Sequence, residues 1–60
     1  METKIEPGDM FNLKKGMKIR LKDGTEIILT SDYIADGLKY EYDGKDTISC
    51  LKLVGCMIIE

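Results

Sequence analysis

The chain has 60 residues, of which 43% are hydrophobic and 33% charged, and its net charge is −2. This composition is typical of one soluble globular domain and is too apolar for a disordered chain. A domain of this size buries only about 60% of its unfolded surface, so we do not expect a substrate cavity enclosed by its core.

The first nine residues are predicted to form a flexible leader, followed by one small domain over residues 10–60. Pro7 and Gly8 stand side by side in the leader, and this pair resists both a helix and a strand ladder. The leader mixes charged and polar side chains where a signal peptide would need an apolar run.

Residues 10–15 allow two interpretations. Their apolar side chains, at Met10, Phe11 and Leu13, fit either a single helical turn capped by Asp9 or a short first strand. The pattern does not separate the two, and the first would add a short N-terminal helical turn to the domain.

The clearest strand pair flanks the Asp-Gly turn at residues 23–24. A two-residue turn would place Glu26 on the core side, whereas a three-residue turn with its glycine in the left-handed region keeps that side apolar. We therefore predict that Ile19 pairs with Ile27. This register leaves Ile28 pointing outward.

The second half of the chain is predicted to add short strands. Leu38, Tyr40 and Tyr42 alternate with charged residues and should point inward. Leu51 and Leu53 do not continue the alternation of Ile48 and Cys50. A 3₁₀ turn near residues 51–53 would explain this break and would precede a last strand over residues 54–59. In total, about five short, mostly antiparallel strands predict an all-β fold, a small barrel or a rolled sheet.

Several side chains that enzymes need are missing. The chain has no histidine, which removes His-assisted nucleophilic catalysis and most zinc or iron centres. Cys50 and Cys56 have no other soft ligand and make no zinc site. The glycines form no phosphate loop. We therefore predict that the protein is not an enzyme and takes no metal and no cofactor.

The two cysteines and the apolar runs also bear on localisation. Cys50 and Cys56 are too few for a disulfide framework, so we expect reduced, core-facing thiols, or one disulfide between them if the protein is exported. No stretch approaches the ~20 apolar residues of a membrane span. These features predict a cytoplasmic protein without a membrane partner. Small modules of this kind occur in bacterial hosts and in phages alike.

One segment partly matches an EF-hand calcium loop. Asp32, Asp36, Gly37 and Asp43 fit the first, fifth, sixth and twelfth positions of that loop. Ile34 occupies the third position, where an oxygen ligand is needed, and predicted strands rather than helices flank the segment. We therefore interpret the Asp-Gly pairs as turns.

Basic residues concentrate before the first Asp-Gly turn. They are Lys14, Lys15, Lys18, Arg20 and Lys22. Lys18, Arg20 and Lys22 would share one strand face at a spacing of about 6.6–6.8 Å, close to that of successive phosphates. However, no aromatic residue is interleaved with them for base stacking, and Glu26 is predicted opposite Arg20. The cluster is an alternative nucleic-acid-binding site.

The apolar C-terminal end, VGCMIIE, predicts a surface for a partner. A strand that is apolar on both faces is expected where both faces are covered, and a barrel of this size buries only one. The candidate partner-binding residues are Ile28, Met57, Ile58 and Ile59. Such an exposed patch either binds a partner or promotes aggregation. The alternative is that the last strand only closes the barrel and its residues pack under the N-terminal segment.

The segment LKKGMKIRLKDGTEI, residues 13–27, resembles the first hairpin of the Sm-like proteins. These are small five-stranded barrels of the SH3-like type that form rings and bind RNA. The resemblance implies an SH3-like barrel, but the family's RNA-binding residues are not retained. An acid, Asp36, replaces the asparagine of its Asp-x-x-Met-Asn motif, and Val54 replaces the arginine of its Arg-Gly pair.

The function predicted from these features is a non-catalytic protein-interaction or self-assembly module. It would use the edge and the apolar face of its last strand to bind a protein partner or a second copy of itself. The alternative is a small nucleic-acid-binding barrel that uses the basic cluster.

Overall fold

The structure, a computed structural model, describes residues 2–59 and confirms the all-β fold. These residues form six short strands, one 3₁₀ turn and one turn of α-helix. In chain order the elements are β1 (Glu2–Lys4), the 3₁₀ turn (Pro7–Asp9), β2 (Lys18–Arg20), β3 (Glu26–Ile28), β4 (Lys39–Tyr42), β5 (Asp46–Ser49), α1 (Cys50–Leu53) and β6 (Met57–Ile59).

The strands form two antiparallel sheets. One sheet has four strands in the order β1-β6-β2-β3, and the other pairs β4 with β5. A bridge between Leu29 and Tyr42 connects β3 to β4. The last strand therefore lies inside the larger sheet, hydrogen-bonded to a neighbour on each side. The prediction that its edge is exposed is wrong, because β1 covers it.

The segment predicted to be a flexible leader supplies β1. Glu2 pairs with Ile59, and Ile5 is fully buried. The amide of Ile5 donates to the Cys56 carbonyl at 2.8 Å. β1 ends at Lys4, and Pro7 begins a 3₁₀ turn where a flexible segment was predicted.

Residues 10–15 form neither the helical turn nor the strand that the sequence allowed. They form a turn and an irregular loop, which the Tyr40 hydroxyl holds in place. This hydroxyl donates to the Met10 carbonyl at 2.7 Å and accepts from the Leu13 amide at 3.2 Å. A loop against the core needs such partners because it has no ladder to satisfy its backbone groups.

The predicted register of the first hairpin is confirmed. Ile19 pairs with Ile27, and Arg20 pairs with Glu26. Gly24 has φ +94°, which is the left-handed conformation that a three-residue loop with a glycine requires.

The predictions for the second half are correct in part. Tyr40 is buried and Tyr42 half-buried, but Leu38 is 47% exposed and has φ 51°. Its left-handed backbone belongs to the preceding turn, which interrupts the alternation. The turn predicted near residues 51–53 is present, but it is one turn of α-helix, α1, and not a 3₁₀ turn; the Ser49 side chain caps it. The last strand begins at Met57, later than predicted.

The core lies between the inner sides of the two sheets and the loop of residues 10–15. Nine residues form it: Ile5, Leu13, Ile19, Ile27, Leu29, Tyr40, Cys50, Leu53 and Cys56. Both cysteines are therefore core-facing, as predicted, and their thiols are free. Closure of the two sheets into an SH3-like barrel stays a prediction.

Candidate interaction surface

The face of the four-stranded sheet opposite the core carries most of the predicted partner-binding residues. Directly paired residues of neighbouring strands lie on the same side of a sheet. The strand register therefore places eight side chains in two rows, which we call the outer face. One row is Glu2, Ile59, Lys18 and Ile28, and the other is Lys4, Met57, Arg20 and Glu26.

Three of the four predicted partner-binding residues lie on the outer face. Ile28 is 48% exposed, while Met57 and Ile59 are half-buried. Ile58 does not belong with them. It pairs with Ile19 and packs against the core, as the alternation of a strand requires for the residue between two outward neighbours.

The apolar side chains of the outer face do not form one unbroken patch. Lys18 pairs with Ile28 on one side and with Ile59 on the other. Met57 and Ile59 lie on the central strand β6, and the flanking strands carry the charged residues. The outer face thus has an apolar centre with charged side chains around it.

The charged side chains of the outer face are linked in one network. Glu26 contacts Lys18 at 3.2 Å and Arg20 at 3.5 Å, and the Arg20 guanidinium also donates to the Glu2 carboxylate at 2.6 Å. The hydrogen bond from Lys18, together with its charge, lowers the pKa of Glu26, and Arg20 adds to this effect. The hydrogen bond with Glu2 raises the pKa of Arg20.

This network predicts how Glu26 titrates. Its folded pKa lies below the unfolded value, so its contribution to stability is present above the unfolded pKa and is lost as pH falls through the folded pKa. In an NMR titration of the carboxyl carbons, we expect Glu26 to titrate below free glutamate. The Lys18→Gln variant should raise the Glu26 pKa, whereas Lys45→Gln, in the β4–β5 turn, should leave it unchanged. Equal values in all three proteins would contradict the ion pair.

The predicted basic cluster is not a single surface. Lys18 and Arg20 are already paired with carboxylates on the outer face. Lys14 and Lys15 precede β2, and Lys22 follows it, so these lysines lie beyond opposite ends of the strand. The amide of Lys15 also donates to Asp32 at 2.9 Å. Of the five basic residues, only Lys18 and Arg20 belong to β2 and to the outer face as the strand register defines it.

Two exposed apolar side chains outside the outer face, Phe11 and Leu51, were not predicted from the sequence. The rings of Phe11 and Tyr33 meet edge to face at 5.1 Å, and Tyr33 lies 5.7 Å from Tyr40. Phe11 is 45% exposed, and Leu51 on α1 is 64% exposed. Phe11 and Tyr33 lie in loops and Leu51 lies in the single turn α1, where no alternation indicates which side chains are buried. The only sequence signal is an aromatic residue inside a turn-rich segment.

Two further predictions concern metals and membranes. Within residues 2–59, no three or more cysteine, aspartate or glutamate side chains are grouped closely enough to hold a metal ion. In the same part of the chain, no helix has the length and apolar character needed to cross a membrane.

Comparison with protein-family models, with curated proteins and with solved structures finds no match to this chain. The resemblance to the Sm-like proteins therefore stays a prediction from the sequence, and the functional argument depends on the geometry of the surface.

Proposed function

We propose that this chain is a non-catalytic protein-interaction module that associates with a second copy of itself through the outer face. The proposal depends on one observation: Ile28, Met57 and Ile59 remain on the uncovered side of a sheet whose other side is packed against the core. Because β1 and β2 occupy both edges of β6, the face of the last strand, not its edge, makes the contact.

The distribution of charge favours a second copy as the partner. The outer face carries three bases, Lys4, Lys18 and Arg20, and two acids, Glu2 and Glu26. Both signs are interleaved on the same face, so a two-fold related copy offers opposite charges to it. An apolar centre within a polar rim is also the common anatomy of protein interfaces.

The size of the outer face limits the affinity. A standard interface buries about 800 Å² per partner, which would be a large part of the 3859 Å² surface of this chain. The outer face has only two outward residues on each strand. We therefore expect weak self-association, with a dissociation constant above about 1 μM.

The nucleic-acid alternative has less support. A phosphate would have to displace the carboxylates that already contact Lys18 and Arg20. The two alternatives differ in their response to salt, because phosphate contacts weaken steeply as salt rises while apolar association does not.

The test is the mass in solution across a concentration series at about 0.05 M and 0.5 M salt, since the higher concentration screens exposed charges. We expect reversible dimers that persist at high salt. Ile59→Lys should raise the dissociation constant at least about tenfold, because it places a charge at the apolar centre beside Lys18. Leu51→Lys, an equal change at a 64% exposed leucine outside the outer face, should have no effect.

Two results would overturn the proposal. One is a protein that stays monomeric up to about 1 mM, because a dissociation constant in the micromolar range would give dimers well below that concentration. The other is an equal loss of dimer in the two lysine variants. A monomer that retards nucleic acid at low salt, and loses this in a variant with Lys18, Arg20 and Lys22 changed to alanine, would favour the alternative.

A further inference from the structure

A pocket opens beside the β2–β3 turn, between this turn, β5 and α1. Its volume is ≈ 340 Å³, at the lower end of the range of about 300–1,000 Å³ for pockets that hold small molecules. The lining residues are Leu21, Lys22, Asp23, Ile48, Lys52 and Cys56. None of them is among the eight residues of the outer face, so the two proposals depend on different side chains.

The floor of the pocket is apolar. Leu21 and Ile48 are half-buried and pack against the core. Cys56 is 2% exposed, and its thiol donates to the Lys52 carbonyl at 3.4 Å. The one polar group of the floor thus already has a partner, and the remaining surface suits an apolar body.

The rim of the pocket carries positive charge that lacks a partner. Lys22 and Lys52 are exposed, and the ion pairs within residues 2–59 involve only Lys18 and Arg20 as bases. The carboxylate of Asp23 accepts the Thr25 amide of its own turn at 2.9 Å. Two lysines against one acid leave the rim with a net charge of +1.

Gly55 allows Lys22 to lie at this rim. A Cβ atom on Gly55 would lie only 2.9 Å from Cε of Lys22 and 3.3 Å from its Nζ, and Gly55 has φ +91°. Only glycine both adopts this backbone conformation readily and leaves room for the lysine stem. Gly55 thus leaves open the space that the exposed Lys22 side chain occupies at the rim.

We propose that this pocket binds a small amphipathic carboxylate with a single negative charge. The apolar body of the ligand would contact Leu21, Ile48 and Cys56, and its carboxylate would accept hydrogen bonds from the ammonium groups of Lys22 and Lys52. A carboxylate fits because both lysines donate hydrogen bonds and neither accepts one. A monoanion balances the rim's charge of +1.

The experiment is an NMR titration of the full chain with phenylpropionate, with the neutral alcohol phenylpropanol as the matched control. With phenylpropionate we expect saturable chemical-shift changes at the amides of Leu21, Ile48 and Cys56. The affinity should fall as the salt concentration rises. Phenylpropanol should bind at least about threefold more weakly, since it lacks the charge. Equal binding of the two compounds, shifts centred elsewhere, or no shift at all would overturn the proposal.

Variants then test the two lysines. The double variant Lys22→Gln, Lys52→Gln should weaken phenylpropionate binding about fivefold and leave phenylpropanol binding unchanged. Lys14→Gln removes one positive charge near the other end of β2 and should change neither. Unaltered phenylpropionate binding in the double variant would show that the lysines do not hold the carboxylate.

Discussion

Ile27→Ala is expected to lower the free energy of unfolding by about 2–5 kcal/mol, whereas Ile28→Ala should change it by less than about 0.5 kcal/mol. The two residues are adjacent and identical in type, but Ile27 is 3% exposed and Ile28 is 48% exposed. Truncating Ile27 leaves a cavity beside Ile19, its partner across the strands. Truncating Ile28 removes a side chain that already contacts water.

This difference is large relative to the total stability. A 60-residue domain has a free energy of unfolding of about 3–9 kcal/mol, at the usual 0.05–0.15 kcal/mol per residue. Ile27→Ala should therefore bring the protein close to unfolding at room temperature. Urea titrations followed by far-ultraviolet circular dichroism measure both variants, and the slope with urea should stay the same.

The same pair of variants tests the strand register. A slip of one residue between β2 and β3 would exchange the faces of Ile27 and Ile28. The stability costs would then be reversed, with Ile28→Ala the more harmful. Equal costs in the two variants would contradict the burial of Ile27 and the exposure of Ile28 on opposite faces of β3.

The first hairpin was predictable because its information is local. Apolar and charged residues alternate on both arms, and only a three-residue turn with Gly24 keeps Glu26 off the core side. The register, the left-handed glycine and the outward Ile28 all follow from this alternation and from the length of the turn. The same reasoning places Tyr40 inward and fails at Leu38, where the turn conformation interrupts the strand.

The N-terminal strand was not predictable from local pattern. Glu2, Thr3 and Lys4 are all exposed, so their sequence carries no alternation of apolar and polar residues. They form a strand because β6, more than fifty residues later in the chain, offers its hydrogen-bonding groups. Pairing of this kind depends on tertiary context that a sequence window does not contain.

The candidate surface was predictable in composition but not in arrangement. The alternation of inward and outward residues along the hairpin identified Ile28, and the apolar composition of the C-terminal end identified Met57 and Ile59. The sequence could not show that Ile58 points to the core while its two neighbours point out, because the start of β6 depends on where α1 ends. It also could not show that Lys18 separates Ile28 from Ile59.

Tyr40→Phe is expected to lower the free energy of unfolding by about 1–3 kcal/mol, the usual cost of leaving buried polar groups without partners. Tyr40 is fully buried, and its hydroxyl contacts the Leu13 amide and the Met10 carbonyl. Phenylalanine keeps the ring in the core but removes both hydrogen bonds. The loop of residues 10–15 then loses the contact that fixes it.

Tyr42→Phe is the matched control, because Tyr42 lies two residues further along β4 and on the same side of the strand but is only half-buried. It should change the stability by less than about 0.5 kcal/mol. Hydrogen exchange gives a second readout, since the Leu13 amide should exchange faster in Tyr40→Phe and at the wild-type rate in Tyr42→Phe. Unchanged exchange at Leu13 would contradict the role of the hydroxyl.

The same hydroxyl gives the stability a dependence on high pH. Burial raises the pKa of Tyr40 above the ordinary value of 10.0, and the hydrogen bond from the Leu13 amide opposes this shift only in part. Because the folded pKa is raised, the contribution of Tyr40 is fully present below the unfolded pKa and is lost as pH rises through the folded pKa. We therefore expect the wild type to lose more stability than Tyr40→Phe when the pH is raised above about 10. Equal losses in the two proteins would show that ionisation of this hydroxyl does not limit the fold.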